Sequence, residues 1–181
     1  MKHSAKLFLL GLLFFPVLAL ASPSKSSTKI PEAIHELFEQ SFLVGSATLK
    51  FFGIKVYDIS LWSEEVRFSY EKRFAICIKY NMNFSGEDLA QRSITEIKRL
   101  NELSKQEEIS YRESLKKIFS SVKKGDEKIA VFIPSQGVII FHNGEPAGKI
   151  SDPKLSRLFV DIWLDERSSY PKITKAILGK F

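Results

Sequence analysis

From Ser41 to Trp62 the sequence keeps a period of two. Phe42, Val44, Ser46 and Thr48 alternate with Leu43, Gly45, Ala47 and Leu49, and both series carry apolar residues. Alternation sustained this long is a β signal, and it commits the chain to a sheet. Two strands or one long bent strand fit it, with Gly45 and Gly53 marking a bulge, a bend or a close backbone approach. A further strand is predicted over Arg73–Tyr80, where Phe74, Ile76, Ile78 and Tyr80 share one face. Three more follow in quick succession, Lys128–Ile133, Val138–His142 and Ala147–Ile150. The first turn among them holds Pro134 and Gly137. The second is Asn143-Gly144, a strong hairpin signal because both residues tolerate positive φ.

The other segments change to helical spacing. Pro31–Gln40 reads as a short helix with Ile34, Leu37 and Phe38 on one face. Ser85 with Asp88 three residues on opens a second, whose stripe is Leu89, Ala90, Ile94, Ile97 and Leu100. Tyr111, Leu115, Ile118, Phe119 and Val122 mark a third, ending near Gly125. Ser151-Asp152-Pro153 starts a fourth, with proline in the first turn where its missing N–H does no harm and Leu155, Leu158, Phe159, Ile162 and Trp163 as its apolar stripe. A last helix follows Pro171 and carries Ile173 and Ile177. Hairpin-linked strands beside runs of helix give an α+β class, a largely antiparallel sheet with one face covered by helices.

The first residues stand apart from this pattern. Met1–Lys6 has two lysines and no acid, Leu7–Leu20 is apolar, and Ala19-Leu20-Ala21 puts small residues at both positions that a signal peptidase reads. The apolar run, with Gly11 and Pro16 inside it, falls short of the ~20 residues that span a bilayer as a helix. Residues 1–21 are therefore expected to be a signal peptide, 22–30 a flexible leader, and 31–181 one domain. The product is expected to be periplasmic or secreted, with no transmembrane segment in the mature chain. Cleavage takes two of the 27 lysines and arginines and none of the 21 acids, so 25 bases against 21 acids leave +4. These bases are interleaved with acids, as in Lys98-Arg99-Leu100-Asn101-Glu102, and no basic and aromatic motif points to nucleic acid.

Little in the chain points to catalysis. Cys77 is the single cysteine, which excludes an intramolecular disulfide and a cysteine-based zinc site. Without His3, only His35 and His142 remain, far apart and without a second histidine at ligand spacing, so no metal is expected. No glycine-x-serine-x-glycine elbow is present, Ser93 sits inside a helix with no histidine nearby, and 144–148 lacks the strand-to-helix context of a phosphate loop. No cofactor is implied. Polar residues within apolar elements say more. Tyr57 and Tyr80 lie in strands, where a core aromatic with a hydroxyl reaching a partner and a ligand contact are both open readings. Arg92 lies at the border of a buried stripe, either snorkelling to water or holding an anion.

Five stretches together carry a resemblance: LVGSATLKFFGIKVYDISLW (43–62), LAQRSITEI (89–97), GDEKIAVFIP (125–134), FHNGEPAGKI (141–150) and FVDIWLDERSSYP (159–171). In this order they resemble the exported bacterial branch of the chalcone isomerase-like proteins. The resemblance implies an open-faced β-sandwich, a large antiparallel sheet with a layer of helices on one face and a ligand cleft between them. Plant members close a flavanone ring there with an arginine, hydroxyl residues and ordered water. Against that pattern Phe52 stands in place of a strand threonine, no arginine occurs around Gln40, Asp161 falls where a late helix carries serine or threonine, and FSGEDLAQRS has no counterpart of a tyrosine. Each missing oxyanion donor costs about 10²- to 10³-fold in rate. The resemblance thus implies the fold without catalytic residues.

Non-enzymatic relatives bind fatty acids through an arginine and a tyrosine. The expectation is a protein that binds a small amphipathic ligand, with Arg92 on its anionic head and Tyr57 and Ser93 donating hydrogen bonds. The alternatives are a ligand-free interaction module of the cell envelope and a divergent intramolecular lyase or isomerase. Any protein partner is left open.

Overall fold

A computed structural model describes residues 30–180. The expected signal peptide, all but the last residue of the 22–30 leader, and Phe181 lie outside the described residues. A short 3-10 helix, Glu32–Leu37, precedes β1 (Phe42–Phe51), β2 (Ile54–Ser63) and β3 (Phe74–Tyr80). Two helices follow, α1 (Gly86–Leu100) and α2 (Lys105–Ile118), and then β4 (Glu127–Ile133), β5 (Gly137–His142) and β6 (Glu145–Ile150). The chain closes with α3 (Pro153–Leu164) and α4 (Pro171–Ile177). The six strands form one sheet in chain order, every neighbouring pair antiparallel.

The long alternating segment is two strands. Phe52 and Gly53, at φ 48° and 79°, make the two-residue turn between them. Asn143 and Gly144, at φ 50° and 89°, make the same kind of turn between β5 and β6. Both turns have positive φ at each central residue, the hand that matches the twist of the flanking strands. Gly45 sits at a register shift, and a side chain there would meet α4, its Cβ 2.2 Å from the Ala176 carbonyl oxygen.

The sheet is covered by the four helices on one face. Leu61, Phe74, Ile76 and Ile140 pack there against Ile94 and Ile97 of α1, Leu115 of α2, Leu155 and Phe159 of α3, and Ile173 and Ile177 of α4. Burying one such side chain contributes roughly 1.5–3 kcal/mol, so this layer dominates the stability. A smaller cluster lies on the opposite face. Trp62, Ala75, Cys77, Ile129, Val131 and Phe141 are closed over by Ile34 and Phe38 from the N-terminal 3-10 segment. The apolar residues on both faces of β2 follow from these two covers. The architecture is the α+β open-faced sandwich expected from the sequence.

The helix starts have local causes. Ser85 accepts from the Asp88 N–H, Asp152 accepts from the Leu155 N–H, and Ser104 with Glu107 forms a reciprocal capping box at α2. The end of α2 differs from its expected stop near Gly125. The helix ends at Ile118, because Val122 exchanges backbone hydrogen bonds with Phe84, at 3.0 and 2.9 Å, in an isolated antiparallel bridge. Ile118, Phe119 and Val122 have helical spacing, but the last of them packs as a strand residue.

Candidate functional site

Tyr57 stands on β2, on the face under the helices, paired across the sheet with Tyr80 of β3. The two rings meet edge to face, 6.4 Å between centroids, and Tyr80 meets Phe84 in the same way at 5.9 Å. Phe84 in turn lies under the Arg92 guanidinium, 5.9 Å from the ring centroid. A chain of aromatic contacts thus leads from a partly buried hydroxyl on the sheet to an exposed cation on α1. Burial raises the pKa of both tyrosines well above the ordinary phenol value; for Tyr57 the nearby Trp163 indole partly offsets this. Tyr170 and the Glu96 carboxylate add to the rise at Tyr57. Among the described residues no acceptor takes the Tyr57 proton.

Five of the seven arginines in the described chain are paired with a carboxylate, namely Arg73, Arg99, Arg112, Arg157 and Arg167. Arg92 is not, nor is Arg67. One turn further along α1, Glu96 is fully engaged, accepting from Arg99 and from the Ser169 N–H and Oγ at 2.8 and 2.7 Å. Burial works against ionisation of Glu96, yet the bonds from Arg99 and Ser169 hold its carboxyl below the ordinary value. Glu96 thus ties the loop before α4 to α1, and leaves Arg92 without a carboxylate partner among the described residues.

Ser93 is placed differently. Its hydroxyl donates to the Leu89 carbonyl at 2.9 Å, so donation to a ligand requires breaking that bond. The structure links Tyr57 and Arg92 through Tyr80 and Phe84, and sets Ser93 beside Arg92 on α1 with its proton engaged. Phe52, expected from the resemblance to stand in place of a strand threonine, lies in the β1–β2 turn and is 71% exposed. Asp161, near which the resemblance puts a late-helix hydroxyl residue, accepts from Tyr70 at 2.5 Å and from Arg157, whose guanidinium stacks 3.5 Å over the Tyr70 ring. Neither residue offers a donor to a developing oxyanion.

Sequence reasoning missed Trp163, Tyr170 and Glu96 as neighbours of Tyr57. It also missed a polar cluster at the far end of α2. There Ser120 Oγ and His142 Nδ1 hydrogen-bond at 2.6 Å, the Lys128 ammonium donates to Ser120 at 3.2 Å, and Asp126 lies 3.5 Å from His142 Nε2. Asp126 is held by the Lys123 N–H and the Asn143 amide. The signal was available, since Asp126 and Asn143 flank the two ends of the predicted β4–β5 hairpin. The cluster ties α2 to that hairpin. His142 Nε2 makes no hydrogen bond to Asp126, so the base is not oriented as a catalytic triad requires.

An open depression at the α1–α2 turn is lined by Lys98, Arg99, Leu100, Asn101, Glu102 and Leu103, and by none of Tyr57, Arg92 and Ser93. Among the described residues no group of three or more His, Cys, Asp or Glu is placed to hold a metal ion, and no helix is long and apolar enough to cross a membrane.

The comparisons agree with the fold. A fatty-acid binding protein of Arabidopsis thaliana, known from a crystal structure, superposes with a TM-score of 0.64 over 88% of this chain and 96% of its own, at 11% identity. That likeness is one of fold. An uncharacterised protein of Haemophilus influenzae strain Rd is 25% identical over 138 residues, 76% of this chain and 67% of that protein. The family model described as chalcone isomerase-like matches residues 23–179, nearly the whole sequence. With six antiparallel strands under one layer of helices, and that match over residues 23–179, the chain belongs to the chalcone isomerase-like family.

Proposed function

We propose that this protein is exported and binds a small amphipathic acid, a fatty acid or another lipid-derived acid, without catalysing a reaction on it. One observation carries the reading: a guanidinium with no carboxylate partner, Arg92, sits over Phe84 and is joined through Tyr80 to the partly buried Tyr57 hydroxyl. Arg92 pairs with the acid's head group, Tyr57 donates its proton, and Ser93 joins by releasing Leu89. Phe84 and Tyr80 supply apolar surface for the first carbons of the tail. The shared fold with a fatty-acid binding protein supports the assignment, and the signal-peptide pattern of residues 1–21 supports export.

The test is the native mass of the purified protein before and after organic extraction, followed by titration with palmitate. Bound acid is expected as a discrete extractable mass. Arg92→Ala should weaken palmitate binding about tenfold, the loss of one charge-assisted contact, and Arg92→Lys should recover part of it. Unchanged affinity in Arg92→Ala removes Arg92 from the site. A second reading rests on the filled layer between sheet and helices: a ligand-free interaction module, favoured by a clean apo mass with no uptake of added lipid.

A further inference from the structure

Away from Tyr57 and Arg92, the polar cluster past the end of α2 combines a hydroxyl, an imidazole and an ammonium. Lys128 and His142 are direct neighbours across β4 and β5. Ser120 reaches both from the segment after α2, its Oγ 2.6 Å from His142 Nδ1 and 3.2 Å from the Lys128 ammonium. The serine is exposed, whereas Lys128 is 6% exposed and forms no ion pair among the described residues.

The segment that carries Ser120 is held on both sides. Phe84 and Val122 exchange backbone hydrogen bonds just beyond it, and Ser121 Oγ accepts from the Gly86 N–H at 3.2 Å. Gly86 permits this approach, since a Cβ there would lie 2.0 Å from the Phe119 carbonyl oxygen. The proton positions follow from what each partner can do. An ammonium only donates, so Lys128 occupies a lone pair of Ser120 Oγ. A carboxylate only accepts, so Asp126, 3.5 Å from His142 Nε2, favours the neutral ring with its proton on that nitrogen. Nδ1 is then the acceptor, and it faces the serine hydroxyl. Asp126 does not hold the ring by a hydrogen bond, as an aspartate-oriented triad would require. The ring is placed instead by its strand position beside Lys128 and by its bond to Ser120.

We propose that Ser120 is a nucleophile that takes the acyl group of a small activated ester, with His142 as its base and Lys128 stabilising the developing oxyanion. A base within hydrogen-bond reach of a hydroxyl is the arrangement that activates a serine. In the step, Oγ bonds to the acyl carbon, the bond from that carbon to the leaving oxygen breaks, and the serine proton passes by way of Nδ1 to the leaving group. As negative charge grows on the carbonyl oxygen, the Lys128 ammonium has two further N–H donors beside it, because Ser120 takes only one. Its burial strengthens that attraction. A covered ammonium without a paired carboxylate costs stability, which a residue that merely fastened α2 to the hairpin would avoid.

The experiment is incubation of the purified protein with p-nitrophenyl acetate, followed by nitrophenolate release and by peptide mass spectrometry. Acetyl is expected on Ser120, while the neighbouring Ser121 stays unmodified and Ser121→Ala leaves the rate unchanged. His142→Gln should slow acetylation of Ser120 about a hundredfold, the contribution of a general base. Lys128→Met should slow it at least tenfold without lowering the Tm. Ser120→Ala should abolish the reaction, and Ser120→Cys, which keeps a nucleophile in place, should restore it. Melts of each variant confirm that it is folded. The proposal is overturned by acetyl on lysines alone, by Ser120 reacting no faster than the exposed Ser110, or by folded His142→Gln reacting as the unmodified protein does. None of Tyr57, Arg92 and Ser93 belongs to this cluster, so the outcome is independent of palmitate binding.

Discussion

The Lys128 side chain leaves β4 on the helix-covered face, is 6% exposed, and ends 3.2 Å from Ser120 Oγ and 5.8 Å from the Phe119 ring centroid. Asp126 favours its charge, but burial outweighs that and lowers its pKa from 10.5 to about 8. Below pH 8 both folded and unfolded states carry the charge, and the fold bears the cost of covering it. Between pH 8 and 10.5 the unfolded chain binds more protons than the folded one, so this residue's contribution to stability rises with pH. Lys128→Met should therefore raise the Tm at pH 7 by roughly 2–4 °C, about 1 kcal/mol in a chain of this size. Thermal melts of both proteins across pH 7–10 check it: the gap must narrow as pH rises, and a constant gap would refute the burial cost. Sequence alone marked Lys128 only as the first residue of a strand. Its cover comes from Phe119 and Ser120, which looked helical in the sequence and are not.

Among the elements, β1 shows what alternation can and cannot reveal. Gly45 was legible as a bulge, bend or close approach, and it is the site of a register shift and of contact with α4. Which element approaches was not legible, since Ala176 and Ile177 lie at the other end of the chain and nothing local to Gly45 encodes them. Gly45→Ala would place a methyl 2.2 Å from the Ala176 carbonyl oxygen and 2.7 Å from that of Ile177. Backbone cannot yield as a flexible side chain can, so α4 has to shift. A loss of about 2–3 kcal/mol is expected, read as a lower urea midpoint. Gly45→Ala unfolding at the wild-type midpoint would mean that α4 rides on β1 without being held there. Tyr57 and Arg92 were likewise visible as polar residues in apolar elements. Their connection through Tyr80 and Phe84 was not, because the intervening chain carries no spacing that predicts a strand-to-helix contact.

At the scale of the whole molecule, the order of strands and helices was readable because each strand pairs with the next in sequence and each helix follows a turn or capping residue. The two faces of the sheet were harder. Apolar residues on both faces of β2 were evident, but the cover of the outer face comes from a 3-10 segment of six residues, too short for a periodicity signal. That cover hides Cys77, whose thiol is pushed up by burial and shares its cluster with Ile34 and Phe38. The lone thiol is thus a stopwatch for the sheet's outer lid. In a thiol-exchange assay its modification rate counts how often the N-terminal segment lifts. Because the lid closes over a small cluster only, exchange should outpace global unfolding and depend weakly on denaturant, and Ile34→Ala should quicken it about tenfold or more. A rate that follows global unfolding at every denaturant concentration would mean that lid and sheet part as one.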